Sequence, residues 1–188
     1  MGLISERIEE SIEVKRKILN DSDLLNRIQM AADMLKTTLC TGGKLLFCGN
    51  GGSASDALHM ASEFIGRFQK ERMPLPAISL NADVAVLTSI ANDYGYDQVF
   101  SKAVAGLMKP EDVLVGISTS GISENVYQAI QEANRLGGKT IALLGRNGGK
   151  IDEIANVSII VPSECTARIQ EAHIMIGHIL CESVEEQV

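Results

Sequence analysis

The sequence predicts an α/β fold, a three-layer, doubly wound, parallel five-stranded sheet with extra N-terminal helices. Three observations predict it. Five short apolar runs are continuous rather than alternating, as expected of strands covered on both faces. Helical periodicities lie between most of them. Short glycine-rich turns join strands to helices, the pattern of βαβ units.

Residues 3–19 and 22–40 read as two amphipathic helices separated by Asn20-Asp21-Ser22, where Asp21 or Ser22 can cap the second. Leu24, Leu25, Ile28, Ala31, Ala32 and Leu35 recur at three- and four-residue intervals, and Gly42-Gly43 stops the helix. The five strands are expected at 44–48, 76–80, 113–117, 140–144 and 157–161. Helices are expected at 54–66, 97–108, 123–136, briefly near 150–155, and finally at 166–186. No repeat, low-complexity tract or linker divides the chain, so residues 1–188 are read as one domain, with the helices of residues 1–41 packed on it. In such sheets ligands collect at the carboxyl ends of the strands, beside helix N-termini.

Composition narrows the function. Hydrophobic residues make up 45% and charged residues 22% of 188 residues, an ordinary soluble mix. A net charge of −7 argues against a nucleic-acid partner, which calls for clustered Lys and Arg. No apolar run approaches the roughly 20 residues of a membrane span, and the first residues have neither a secretory pattern nor the Ser or Thr of a myristoylation motif. A cytoplasmic protein without a membrane partner is expected. Cys40, Cys48, Cys165 and Cys181 lack zinc-knuckle spacing and are read as buried, reduced thiols.

Two loops carry the chemistry. The first strand ends in Gly49-Asn50-Gly51-Gly52-Ser53-Ala54-Ser55, where glycines permit a tight turn that exposes N–H groups at a helix N-terminus. The third ends in Ser118-Thr119-Ser120-Gly121-Ile122-Ser123, whose hydroxyls and amides can surround a phosphate. Either loop alone could be a plain helix start; two at one sheet edge favour phosphate binding. The first also fits the dinucleotide fingerprint G-x-G-x-x-A. That reading wants an acidic residue ending the second strand, but Glu71 comes before the second apolar run and Asp83 comes late.

His59 and Glu63 are four apart on the helix that follows the first loop, so they share a face. Such a pair can chelate a divalent metal, act as acid and base, or simply pair on a surface. The phosphate loop just upstream favours the first two.

Cys48-Gly49-Asn50-Gly51-Gly52-Ser53 together with Gly116-Ile117-Ser118-Thr119-Ser120-Gly121-x-Ser123 resembles the sugar-isomerase (SIS) domain, a flavodoxin-like fold. The closer likeness is to the phosphoheptose isomerases, through Pro76-Ala77-Ile78, Asn92-Asp93-Tyr94-Gly95, Gly148-Gly149 and Arg168-Ile169-Gln170-Glu171-x-His173. The resemblance implies sugar-phosphate contacts at Asn50, Gly51, Gly52, Ser53, Asn92, Asp93, Ser118, Thr119, Ser120, Ser123 and Gln170. It implies a zinc ion held by His59, Glu63, Gln170 and His178, with Glu63 and His178 as base and acid. Gln170 and His178 are about 12 Å apart along an ideal helix, so one ion needs both side chains to lean inward or to come from different subunits. The resemblance further implies a homotetramer with sites at subunit interfaces, converting sedoheptulose 7-phosphate to D-glycero-D-manno-heptose 7-phosphate, the entry to nucleotide-activated heptose. His173 is read as structural, and Arg67 as either a substrate contact or a surface charge. Ala167 stands where some relatives carry an acid. Two other readings stay open: a non-catalytic sugar-phosphate sensor or replication-initiator-binding regulator, and an isomerase for another sugar phosphate.

Overall fold

The computed structural model describes residues 2–186. Helices α1 (Leu3–Leu19) and α2 (Ser22–Cys40) come first, followed by β1 (Leu45–Gly49), α3 (Gly52–Ile65), β2 (Ala77–Ser79) and α4 (Val84–Tyr94). A 3-10 turn (Tyr96–Gln98) leads into α5 (Val99–Leu107), β3 (Val113–Ser118), α6 (Glu124–Arg135) and β4 (Lys139–Gly145). The chain ends with α7 (Gly149–Asp152), β5 (Val157–Val161) and α8 (Thr166–Glu185). Local signals set the first boundaries: the Asp21 carboxylate accepts from Leu24 N at 2.9 Å, and Gly42, at φ 86°, reverses the chain after α2.

All strand pairs are parallel, in the order β2-β1-β3-β4-β5. The chain leaves β1 toward β2 and returns to β3 on the other side, so the switch point lies between β1 and β3. Strand residues alternate between two buried clusters. Leu45, Phe47, Val113, Val115 and Ile117 pack with α1, α2, α3 and α8. Leu46, Cys48, Leu114 and Leu144 pack with α5, α6 and α7. Coverage on both faces is why these runs are continuously apolar.

Three expectations need correction. The run at 76–80 forms only a three-residue strand at the sheet edge, where Ile78 is exposed. The residues after it form α4, which the sequence reading did not foresee. This helix has no fully buried residue and meets the core only through the partly buried Leu87, Ile90 and Ala91, and it starts at Asp83, whose side chain accepts from Val86 N at 3.0 Å. Cys48 and Cys181 are buried, and burial pushes both thiols up to about 12, but Cys40 and Cys165 are exposed at helix ends.

Candidate active site

Both glycine- and hydroxyl-rich loops sit at the switch point, side by side at the carboxyl ends of β1 and β3, where Gly49 is in register with Ile117. Gly51 has φ 57° and ψ −122°, a backbone state open to glycine, and it turns the chain straight into α3. Gly52 has a second constraint: a Cβ there would lie 2.5 Å from the Gln170 Nε2. Ser53 is buried in the first turn of α3, and neither α3 nor α6 is capped by a side chain. The Ser123 hydroxyl instead pairs with the Ser118 hydroxyl at 2.9 Å, and Ser118 Oγ also accepts from Gly121 N at 3.2 Å. No N-cap side chain therefore competes for an anion at either helix start, and within the first turn of α6 only Val126 N is taken by a side chain, the Asn125 Oδ1 at 3.0 Å. Thr119 and Ser120 are half-buried beside them.

Asn50 is held differently. Its Nδ2 donates to Asn125 Oδ1 at 2.8 Å, and Asn125 Nδ2 donates back to its Oδ1 at 2.9 Å. The exposed Tyr96 hydroxyl donates to the same oxygen at 3.0 Å. On the other side of the loop, Asn81 brackets the Gly49 backbone, donating to its O at 2.9 Å and accepting from its N at 3.2 Å. Asn81 occupies the place after β2 where a dinucleotide site would put its acid; Glu71 is on the surface, near Arg67 at 3.6 Å. Arg67 is exposed in the single chain. Asn92 and Asp93 lie exposed in the last turn of α4, bonded to one another at 2.8 Å.

Helices α3 and α8 run side by side in the same direction: Gln170 lies over Gly52, Gly177 against Met60, and Glu185 against the segment after α3. This pairing brings His178 to His59 and Glu63. The His59 Nε2 is 3.0 Å from Glu63 Oε1, and the two imidazoles meet edge to face with centroids 5.0 Å apart. Phe68 also stacks on His178, with ring centroids 5.3 Å apart. Ligand atoms of His59, Glu63 and His178 all lie within 4.8 Å of one another, a nitrogen and oxygen set that suits a divalent ion such as zinc. Gln170 is not among them: its amide sits at Gly52, about 10 Å back along the helix from His59.

His173 is buried, with Nε2 2.8 Å from Leu144 O, and anchors α8 to the sheet. Asp56, one turn before His59 on α3, was missed by the sequence reading. Burial pushes its carboxyl up, the nearby His59 charge pulls it down, and its buried Oδ2 has no hydrogen-bond partner. Its spacing from Gly52 and His59 could have flagged it. Asn81, Asn125 and Tyr96 gave no local signal.

A parallel flavodoxin-like sheet with two anion loops at its switch point and an ionisable cluster along the first of their helices defines a phosphosugar-binding SIS domain. The chain belongs to the SIS-domain family, whose model matches residues 8–145. Within that family it stands among the phosphoheptose isomerases. It is 49% identical to the phosphoheptose isomerase of Aquifex aeolicus, over 98% of this chain and 96% of that protein. The structure of a phosphoheptose isomerase from Francisella tularensis superposes with a TM-score of 0.94 at 42% identity, covering 98% of this chain and 97% of that one. The Neisseria gonorrhoeae phosphoheptose isomerase gives a TM-score of 0.92 at 43% identity, covering 97% of each chain.

Proposed function

We propose that this protein isomerises sedoheptulose 7-phosphate to D-glycero-D-manno-heptose 7-phosphate, the first step toward a nucleotide-activated heptose. One observation carries the reading: the His59, Glu63 and His178 cluster lies along the same helix whose N-terminus is the first phosphate loop. A sugar anchored by its phosphate at Ser53 and residues 118–123 extends along α3 toward those side chains. The regulator reading has no use for such a cluster.

In this scheme Gly51, Gly52, Ser53, Ser118, Thr119, Ser120 and Ser123 bind the phosphate through N–H and O–H groups, and Asn92, Asp93 and Gln170 contact the sugar. Glu63 removes a proton from carbon 1 of the open-chain ketose, the ene-diol(ate) forms, and the proton returns at carbon 2. His178 moves a proton from one oxygen to the other, so carbon 1 becomes the carbonyl. His59, Glu63 and His178, with Gln170 of a neighbouring copy, would hold a zinc ion, which when bound polarises oxygens of the substrate. Glu63 has two oxygens, one for a ligand bond and one for a proton, so both roles fit one side chain.

We further propose a homotetramer with sites shared between copies. The exposed apolar stripe Ile4, Ile8 and Ile12 on α1, and the open face at Leu58, Ile65 and Ile179 beside the cluster, support it. Four unpaired cysteines suit a reducing cytoplasm. Among the described residues no helix is long and apolar enough to cross a membrane. The test is to incubate purified protein with sedoheptulose 7-phosphate, with and without chelator, and to follow the heptose product by NMR. Absence of product under both conditions, with metal restored, overturns the assignment. A monomer by light scattering overturns the shared site.

A further inference from the structure

We infer that Asn125 is a positioning residue for the phosphosugar site, setting the distance between its two phosphate loops through a reciprocal amide clasp with Asn50. The proposal rests on the reading of those loops as the phosphate site.

The two loops belong to different βα units; the β1–β3 register sets where each leaves the sheet, and a tie beyond that edge is needed to hold the turns themselves at one spacing. The anion needs donors from both at once, so an error of a fraction of an ångström in their separation lengthens several hydrogen bonds together. The Asn50–Asn125 pair spans that gap. Asn50 belongs to the first loop, and Asn125 is the second residue of α6, directly after the second. Each amide donates to the other's oxygen, at 2.8 and 2.9 Å, which fixes both side chains in plane and in orientation. Asn125 is buried, and its Oδ1 also accepts from Val126 N at 3.0 Å, so it is held by its own helix while it holds Asn50. The Tyr96 hydroxyl, at 3.0 Å, makes the third bond to the clasp, and Tyr96 follows the Asn92-Asp93 segment by only a few residues. Asn50 Oδ1 thus accepts from two donors, and of Asn50's amide only one N–H is left for a ligand. Asn50 serves the site chiefly as the loop's fastening point, and three segments of the site meet on it.

The test compares wild type with Asn125→Ala, Asn50→Ala, the double variant and Tyr96→Phe. Affinity for inorganic phosphate and for sedoheptulose 7-phosphate is measured by calorimetry, alongside kcat, KM and Tm. Losing two of the clasp's hydrogen bonds is expected to weaken phosphate binding and raise KM about tenfold in Asn125→Ala. The kcat value is expected to change by less than about threefold, since the reacting end of the sugar is not touched. The double variant is expected to be no weaker than the worse single, because both remove the same clasp. Tyr96→Phe deletes one hydroxyl from an exposed ring, leaves the core intact, and is expected to raise KM about threefold. Unchanged phosphate affinity in folded Asn125→Ala and in Tyr96→Phe, a loss in kcat alone, or fully multiplicative effects in the double variant would each overturn the clasp. Failure of the proposed isomerase shows separately, as absent wild-type turnover with phosphate binding intact; a wild type that binds no phosphate overturns both.

Discussion

Glu185 and Arg72 form a buried ion pair, Oε1 to Nε 3.0 Å, that ties the end of α8 to the segment after α3. The same carboxylate accepts from Phe68 N, Gln69 N and Lys70 N at 3.0, 2.7 and 2.9 Å, while Arg72 donates to the carbonyls of Glu63 and Phe64, each at 2.9 Å. Burial alone would raise the Glu185 pKa; the three amides and the guanidinium outweigh it and hold it below the usual carboxylate value. The segment so fixed carries Phe68, which stacks on His178. Arg72→Ala leaves a buried carboxylate short of its cation and opens the carbonyls at the end of α3. It is expected to destabilise the fold by about 3 kcal/mol. Urea unfolding at fixed protein concentration checks this, and a loss under about 1 kcal/mol contradicts it.

Glu63→Gln keeps the shape of the side chain and removes its basicity. Isomerisation is expected to fall by at least about a thousandfold, in line with loss of a general base. Binding of the sugar phosphate should stay measurable, because the phosphate donors lie at the other end of the helix stretch. Near-normal turnover in this variant would remove Glu63 from the mechanism.

His59 faces solvent more openly than Glu63, with side-chain exposures of 45% and 21%. Its expected contribution is to the metal rather than to the proton path. His59→Ala protein, purified without chelator, should carry well under one zinc per chain by elemental analysis, while retaining affinity for inorganic phosphate. Full zinc occupancy in this variant would show that the ion sits elsewhere.

What the sequence disclosed follows from the range of each interaction. β3 and β5 could be delimited to within a residue because both faces of each strand are covered, so burial leaves an unbroken apolar run. The glycine- and hydroxyl-rich loops were legible because such residues shape a turn within a few positions. α4 escaped because it packs only through the partly buried Leu87, Ile90 and Ala91, and its start depends on the single carboxylate of Asp83. The Asn50–Asn125 clasp and the Glu185–Arg72 pair join residues 75 and 113 positions apart, with no local pattern at either end. The group of His59, Glu63 and His178 was half legible: the pair on α3 follows from spacing, whereas His178 arrives only because α3 and α8 lie in the same direction.

His173 makes stability depend on pH in a predictable sense. Burial lowers its pKa to about 4 from the ordinary 6.5, against the smaller raising effect of its bond to Leu144 O. The folded-state value is depressed, so between pH 6.5 and 4 the unfolded chain binds a proton that the folded one refuses. Stability is therefore full above pH 6.5 and falls as pH drops through that window, by about 3 kcal/mol in total from this group. His173→Gln keeps a donor for the Leu144 carbonyl and removes the titration. It is expected to be less stable than wild type at pH 7.5, because a flexible amide replaces a packed ring, yet to lose less stability on going to pH 4.5. Unfolding midpoints of the two proteins from pH 7.5 to 4.5 read the difference directly. Parallel curves would mean that the acid sensitivity belongs to other groups, and that the imidazole of His173 is protonated in the fold as readily as in the unfolded chain.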